Sequence, residues 1–152
     1  MAALAAILSA LHLLALGIGL PAIFARSRAL KGPLDADGLR RVFAVDSWWG
    51  FAALLWLATG PLRAFGPFEK GSAFYLHTWL FHLKLGLFLL IFALEITPMV
   101  GLIRWRMALA RGETPDLSAA PLYRMLSHVE MGLVVVIVFV AAFMARGFGR
   151  IG

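Results

Sequence analysis

Residues 77–106 read HTWLFHLKLGLFLLIFALEITPMVGLIRWR, an apolar stretch long enough to cross a bilayer that carries a lysine and a glutamate inside it. A bilayer core takes about 20 apolar residues of helix, and an ionisable side chain within such a span is costly enough to mark a functional candidate. At about 100° per residue, His77, Lys84, Phe88, Ile91 and Glu95 fall on one stripe, so their polar groups are expected to look inward together. His82 lies on the opposite side from Lys84 and is expected to face another neighbour or the membrane interface.

Composition extends that reading to the whole chain. Its 152 residues are 62% hydrophobic and 14% charged, against about 45–50% apolar and about 25% charged in a soluble domain. This predicts an integral membrane protein, and the length allows one bundle and no separate soluble domain. The absence of cysteine excludes disulfides, thiolate metal sites and cysteine nucleophiles. The net charge of +6 would suggest nucleic acid in a soluble protein. Here the basic residues gather at the ends of apolar runs and no nucleic-acid motif accompanies them, so membrane lipid and not nucleic acid is the expected partner.

Working outward, four spans are expected, at about 2–25, 42–65, 74–106 and 121–145. No Lys or Arg precedes the first apolar run, so it reads as a transmembrane helix in preference to a secretory signal. Pro21 is expected to bend or end its last turn. Residues 26–41 read as a basic connector broken at Gly32-Pro33, with Asp35 or Asp37 as N-cap of the next helix. In the second span Asp46, Trp49, Ala53, Trp56, Gly60 and Arg63 form one stripe, with a charge at each end. Gly66-Pro67 begins a short turn through Lys70. Pro98 is expected to kink the third span one turn after Glu95. The fourth carries His128 and Glu130 in its first turns.

The connectors after spans one and three hold Arg26, Arg28, Lys31, Arg40, Arg41, Arg104, Arg106, Arg111 and Arg124, whereas the other side holds Arg63, Lys70, Arg146 and Arg150. The positive-inside rule then puts both termini outside, in the periplasm of a bacterial cytoplasmic (inner) membrane. Short loops make an all-α, antiparallel four-helix bundle the expected fold.

At 1.5 Å rise per residue, His12 lies about 13 Å and Lys84 about 12 Å from the outer end of their spans, and Glu95 about 28 Å. Two polar layers follow: one with His12 and Lys84, and an inner one with Asp46, Glu95 and His128. Glu130 points about 200° away from His128, so only one of the two can face the bundle centre. His12 reads either as an axial metal ligand to a b-type haem or as a histidine bonded to a neighbouring helix. Lys84 reads as a cation for a carboxylate ligand such as a haem propionate, as a proton-handling catalytic group, or as a snorkelling lysine. Asp46 and Glu95 are expected to pair with Arg40, Arg41 or Arg104. No His pair at i and i+4, Ser/His/Asp set or phosphate loop is present, which leaves hydrolytic chemistry without support.

The segments GPLRAFG, AFYLHTWLFHLKLGLFLLIFALEITPM followed by IRWR, and FMARGFG resemble, over nearly the whole chain, an uncharacterised bacterial family of small four-helix predicted membrane proteins. More distantly, ALHLLALGIG around His12, HLKLGLFLLI around Lys84 with RMALARGE after it, and YRML before His128 resemble the HemJ-type protoporphyrinogen oxidases. That second resemblance implies a four-helix membrane protein that binds haem b and oxidises protoporphyrinogen IX. The family's first-helix histidine matches His12, its third-helix lysine matches Lys84, and its arginine matches Arg124. Where the family has an acidic residue, a valine and a proline, this chain has His128-Val129-Glu130, which admits His128 as a second haem ligand.

Three functions are compatible with these residues. The first is a haem-b-binding redox protein, with His12 as axial ligand, Lys84 facing haem or substrate carboxylates, and a tetrapyrrole or quinone as partner. The second is a cofactor-free accessory subunit of a larger membrane complex or homo-oligomer. The third is a small transporter or proton-conducting protein lined by Lys84, Glu95 and Asp46.

Overall fold

A computed structural model describes residues 2–67 and 71–151. The expected turn at Lys70, and that residue's part in the charge count, lie outside the described residues. The elements are α1 (Ala2–Ala29), α2 (Ala36–Phe65), α3 (Gly71–Leu76), α4 (Trp79–Ala110) and α5 (Ala120–Ala145). Among the described residues the only β pairing is an isolated bridge between Thr78 and Arg150.

Helix α1 runs four residues past its expected end and does not end at Pro21, which lies inside it. Arginine and alanine are good helix formers, and nothing stops the helix before Gly32-Pro33. The end of an apolar run is therefore not the end of the helix. Asp35 caps α2, its side chain accepting from the Gly38 N–H at 2.8 Å, and so the helix begins before Val42. A side chain at Gly38 would run into the Pro33 carbonyl, which keeps that turn tight. Helix α4 closes on Gly112 at φ +72°, with Gly112 N–H donating to Leu109 O and Glu113 N–H to Ala108 O, a Schellman ending. Pro121 stands in the first turn of α5, where its missing N–H costs nothing.

The third span is not one helix from residue 74. The chain is extended at Thr78, whose hydroxyl donates to Phe74 O. The C-terminal segment pairs across this break: Trp79 N–H donates to Gly149 O and Ile151 N–H to His77 O. His77 is thereby removed from the Lys84 stripe and is exposed. Residues 84, 88, 91 and 95 do share the inward face, Ile91 being buried and the other three half-buried.

Helix α1 packs along α2 and α5, and α5 along α4, while α3 bridges the ends of α2 and α4. Helices α2 and α4 lack an extended backbone contact. The result is an antiparallel four-helix bundle. Gly19 lets α1 and α2 close up, since a Cβ there would come within 2.8 Å of the Trp56 ring and 3.1 Å of Ala52. Such small residues matter because lipid is as apolar as leucine and association rests on close packing. Three apolar cores stack along the axis: Leu39, Val42, Leu102, Trp105 and Tyr123 at the end bearing the α1–α2 connector; Ile23, Trp49, Ile91 and Val134 in the middle; and Ala64, Tyr75, Phe81 and Met144 at the end bearing the termini.

All four long helices are long and apolar enough to cross a membrane, and only 17–22% of their most apolar windows is buried. The rest, including Leu13, Phe24, Leu54, Leu89 and Phe139, forms the outer surface of a multi-pass membrane protein and faces lipid.

Candidate functional site

The interior between the first two cores is polar, and its centre is Arg26. The side chain of Arg26 is fully buried, brought there by the last turns of α1. It lies on one helical stripe with His12, Ala15, Gly19 and Ala22, at steps of three or four residues. Every N–H of its guanidinium is used. Nε donates to Ser127 Oγ at 3.0 Å, and one terminal nitrogen donates to Asp46 Oδ1 at 3.0 Å and Glu95 Oε1 at 2.7 Å. The other donates to Glu95 Oε2 at 2.7 Å and Glu130 Oε2 at 2.8 Å. The Glu95 pair is the two-pronged geometry that a guanidinium makes best. The face of Trp49 lies 5.9 Å away, within cation–π reach. One α1 side chain thus ties α2, α4 and α5 together.

A second arginine closes the layer. Arg106 of α4 donates to Asp46 Oδ2 at 2.8 Å and to Phe43 O at 2.9 Å on α2, spanning the pair of helices whose backbones stay apart. The exposed basic residues flanking this layer are Arg28, two positions from Arg26, Arg41, five from Asp46, and Arg104, nine from Glu95. The cluster therefore sits about 3–13 Å inside the belt of exposed basic residues, near the end of the bundle that bears the α1–α2 connector.

The expected partners of Asp46 and Glu95 are corrected by this geometry. Arg40 pairs with Asp37 one turn away, while Arg41 and Arg104 are exposed; Arg26 and Arg106 take the carboxylates instead. The choice on α5 goes to Glu130, which is fully buried. His128 is exposed, hydrogen-bonded to Ser27 Oγ at 3.0 Å and to Arg124 O at 2.9 Å.

The second layer contains His12, half-buried in α1. Its Nδ1 lies 2.8 Å from Thr59 Oγ1 on α2, and that hydroxyl donates its only proton to Leu55 O at 2.6 Å. Nδ1–H must therefore be the donor, and in the neutral ring Nε2 carries the lone pair. Gly60 stands beside the ring, and even a Cβ there would remain 3.9 Å from Cε1. Because Glu95 is level with Arg26 and α1 runs parallel to α4, His12 and Lys84 lie within about 5 Å of one level. His128, bonded to Ser27, is about 22 Å further along α1 than His12. Metal–nitrogen bonds are about 2 Å, so one iron cannot take both histidines.

Over residues 4–149 the sequence matches the family described as "Predicted membrane protein (DUF2214)". The chain belongs to this family. No curated protein and no solved structure matches it. In this DUF2214 protein, then, the sites are defined by their own geometry.

Of the residues singled out from the sequence, the bundle gathers Asp46, Glu95 and Glu130 into one cluster and sets His12 and Lys84 at one level apart from it. Arg63 is half-buried and 17 positions along α2 from Asp46, about 25 Å away, so it lies outside the Arg26 cluster, one turn beyond Thr59. His77 and His82 are exposed, each directed at a backbone carbonyl, Ala73 O and Leu76 O. The residues that sequence reasoning missed are Arg26 and, beside it, Arg106. The signal for Arg26 is the stripe from His12 at steps of three or four residues, which α1 carries past Pro21. Among the described residues no group of three or more His, Cys, Asp or Glu could hold a metal ion by itself.

Proposed function

We propose that this protein is a haem-b-binding redox protein of a bacterial cytoplasmic membrane, with both termini on the periplasmic side, in which His12 would hold the haem through Nε2. The observation that carries the reading is the Thr59 hydroxyl, which is committed to Leu55 O and so fixes His12 as the Nδ1–H tautomer. Histidines that ligate metals characteristically have their other nitrogen held in this way. The chain's residues fit the group in two further respects: Gly60 leaves the ring edge uncrowded, and α2 and α4 are not closed backbone to backbone. When bound, haem supplies one-electron chemistry.

The chain's own side chains orient and balance it. Lys84, level with His12, offers a cation to a haem propionate or to the carboxylate of a tetrapyrrole substrate, and a quinone is a fitting electron acceptor. Activity on protoporphyrinogen IX itself rests on the more distant resemblance, since a shared bundle does not carry a reaction with it.

The test is the visible spectrum of the purified protein, oxidised and dithionite-reduced, beside a His12→Ala variant. A Soret band with b-type reduced peaks that disappear in the variant is the expected result. A colourless protein expressed with ample haem would overturn the reading and turn attention to an accessory role in a larger complex.

A further inference from the structure

The Arg26 layer holds three carboxylates and two guanidinium groups, and their hydrogen bonds are unequally distributed. Both oxygens of Glu95 accept from Arg26. Asp46 accepts from Arg26 through Oδ1 and from Arg106 through Oδ2. Glu130 accepts only through Oε2; its Oε1 is buried and has no hydrogen-bond partner, although the whole residue is excluded from the surface. No donor on Arg26 is left to serve it. A lone charged carboxylate oxygen in that position would be costly, and the layer would carry one negative charge in excess.

We infer that the Arg26 cluster is a proton-binding site, with one exchangeable proton held on Glu130 Oε1. Bound there, the proton makes the layer neutral and leaves Oε2 to accept from Arg26. When the proton leaves, the same carboxyl becomes a third negative charge beside Glu95, with which it shares one guanidinium nitrogen. The charged and titratable groups facing the site are Arg26 from α1, Asp46 from α2, and Glu95 and Arg106 from α4. From α5 the uncharged Ser127 completes the shell, and His128 lies on its outer side against Ser27. Each of the other two acids has both oxygens occupied, which assigns the proton to Glu130. The inference is independent of the haem reading.

The experiment uses the full-length protein in lipid nanodiscs and two readouts. In infrared spectra of the wild type at neutral pH, a protonated-carboxyl C=O band is expected, lost in Glu130→Gln. For stability, the folded chain carries one proton more than the unfolded chain, whose glutamate titrates at about 4.3. Folded-state stability therefore falls with rising pH above that value, and the unfolding equilibrium shifts tenfold per pH unit until the folded protein also releases the proton. In Glu130→Gln this tenfold dependence is expected to vanish while the protein stays folded. The absence of a protonated-carboxyl band in the wild type would overturn the proposal whether or not the variant folds. So would a band that survives Glu130→Gln, or a saturable stabilisation by sodium over choline at fixed ionic strength, which would make a metal cation the counterion.

Discussion

Arg26 and Arg111 each meet a glutamate through two parallel hydrogen bonds, yet they sit in opposite surroundings. Arg26 to Glu95 measures 2.7 Å at both contacts with the guanidinium fully buried; Arg111 to Glu113 measures 2.9 and 2.8 Å with both side chains more than half exposed. The difference teaches that geometry alone does not set the worth of an ion pair. In water the partners of Arg111 are replaced at little cost, whereas in the bundle the loss of Arg26 strands charges that have nowhere to go. Arg106 falls between the two, with its side chain 38% exposed and one carboxylate shared with Arg26.

Substitution along this series tests the contrast. The largest effect is expected for Arg26→Gln, which leaves three carboxylates together in the layer; breaking a buried ionic site in this way costs about 3–5 kcal/mol, read as loss of thermal or denaturant stability in detergent. The deficit should shrink at acid pH, where protons replace the missing cation. Arg26→Lys keeps the charge but not the fork, so a stability nearer to wild type than that of Arg26→Gln is expected; equal loss in both would mean that geometry, and not charge, dominates. Arg106→Gln should cost about 1 kcal/mol and loosen α2 from α4, visible as faster hydrogen exchange around Phe43. Arg111→Gln should leave the melting temperature unchanged within error. Arg111 holds the Glu113 carboxyl below its ordinary value through their hydrogen bond, so what little stability that pair adds is present above the usual glutamate range and fades as pH falls through the lowered value. A melting curve of Arg111→Gln that departs from wild type at neutral pH but not in acid would show that this exposed pair matters after all.

The four membrane-length segments were legible because hydropathy over about 20 residues is a strong signal. The inward stripes from Asp46 to Arg63 and from Lys84 to Glu95 were legible because helical periodicity continues inside lipid. Arg26 was not legible as a core residue, since a cation at the end of an apolar run also marks the membrane boundary; only the helix's continuation to Ala29 and partners 20, 69 and 104 positions away distinguish the two. The break before Trp79 was equally hidden. It depends on pairing with residues 149–151, which no local pattern at Thr78 reports. Glu130 over His128 needed the position of Arg26, because the angle between them fixed that one must turn outward without saying which.

The order in which the chain is made gives the Arg26 contacts a temporal meaning. The arginine arrives in the first span, Asp46 follows 20 residues later, and Glu130 only after 104. Until the last helix emerges, the guanidinium must remain near the headgroups or settle for incomplete company. Final seating of the first helix therefore waits on synthesis of the fourth. A chain lacking that helix would leave Arg26 without Ser127 and Glu130, two of the four side chains to which it donates.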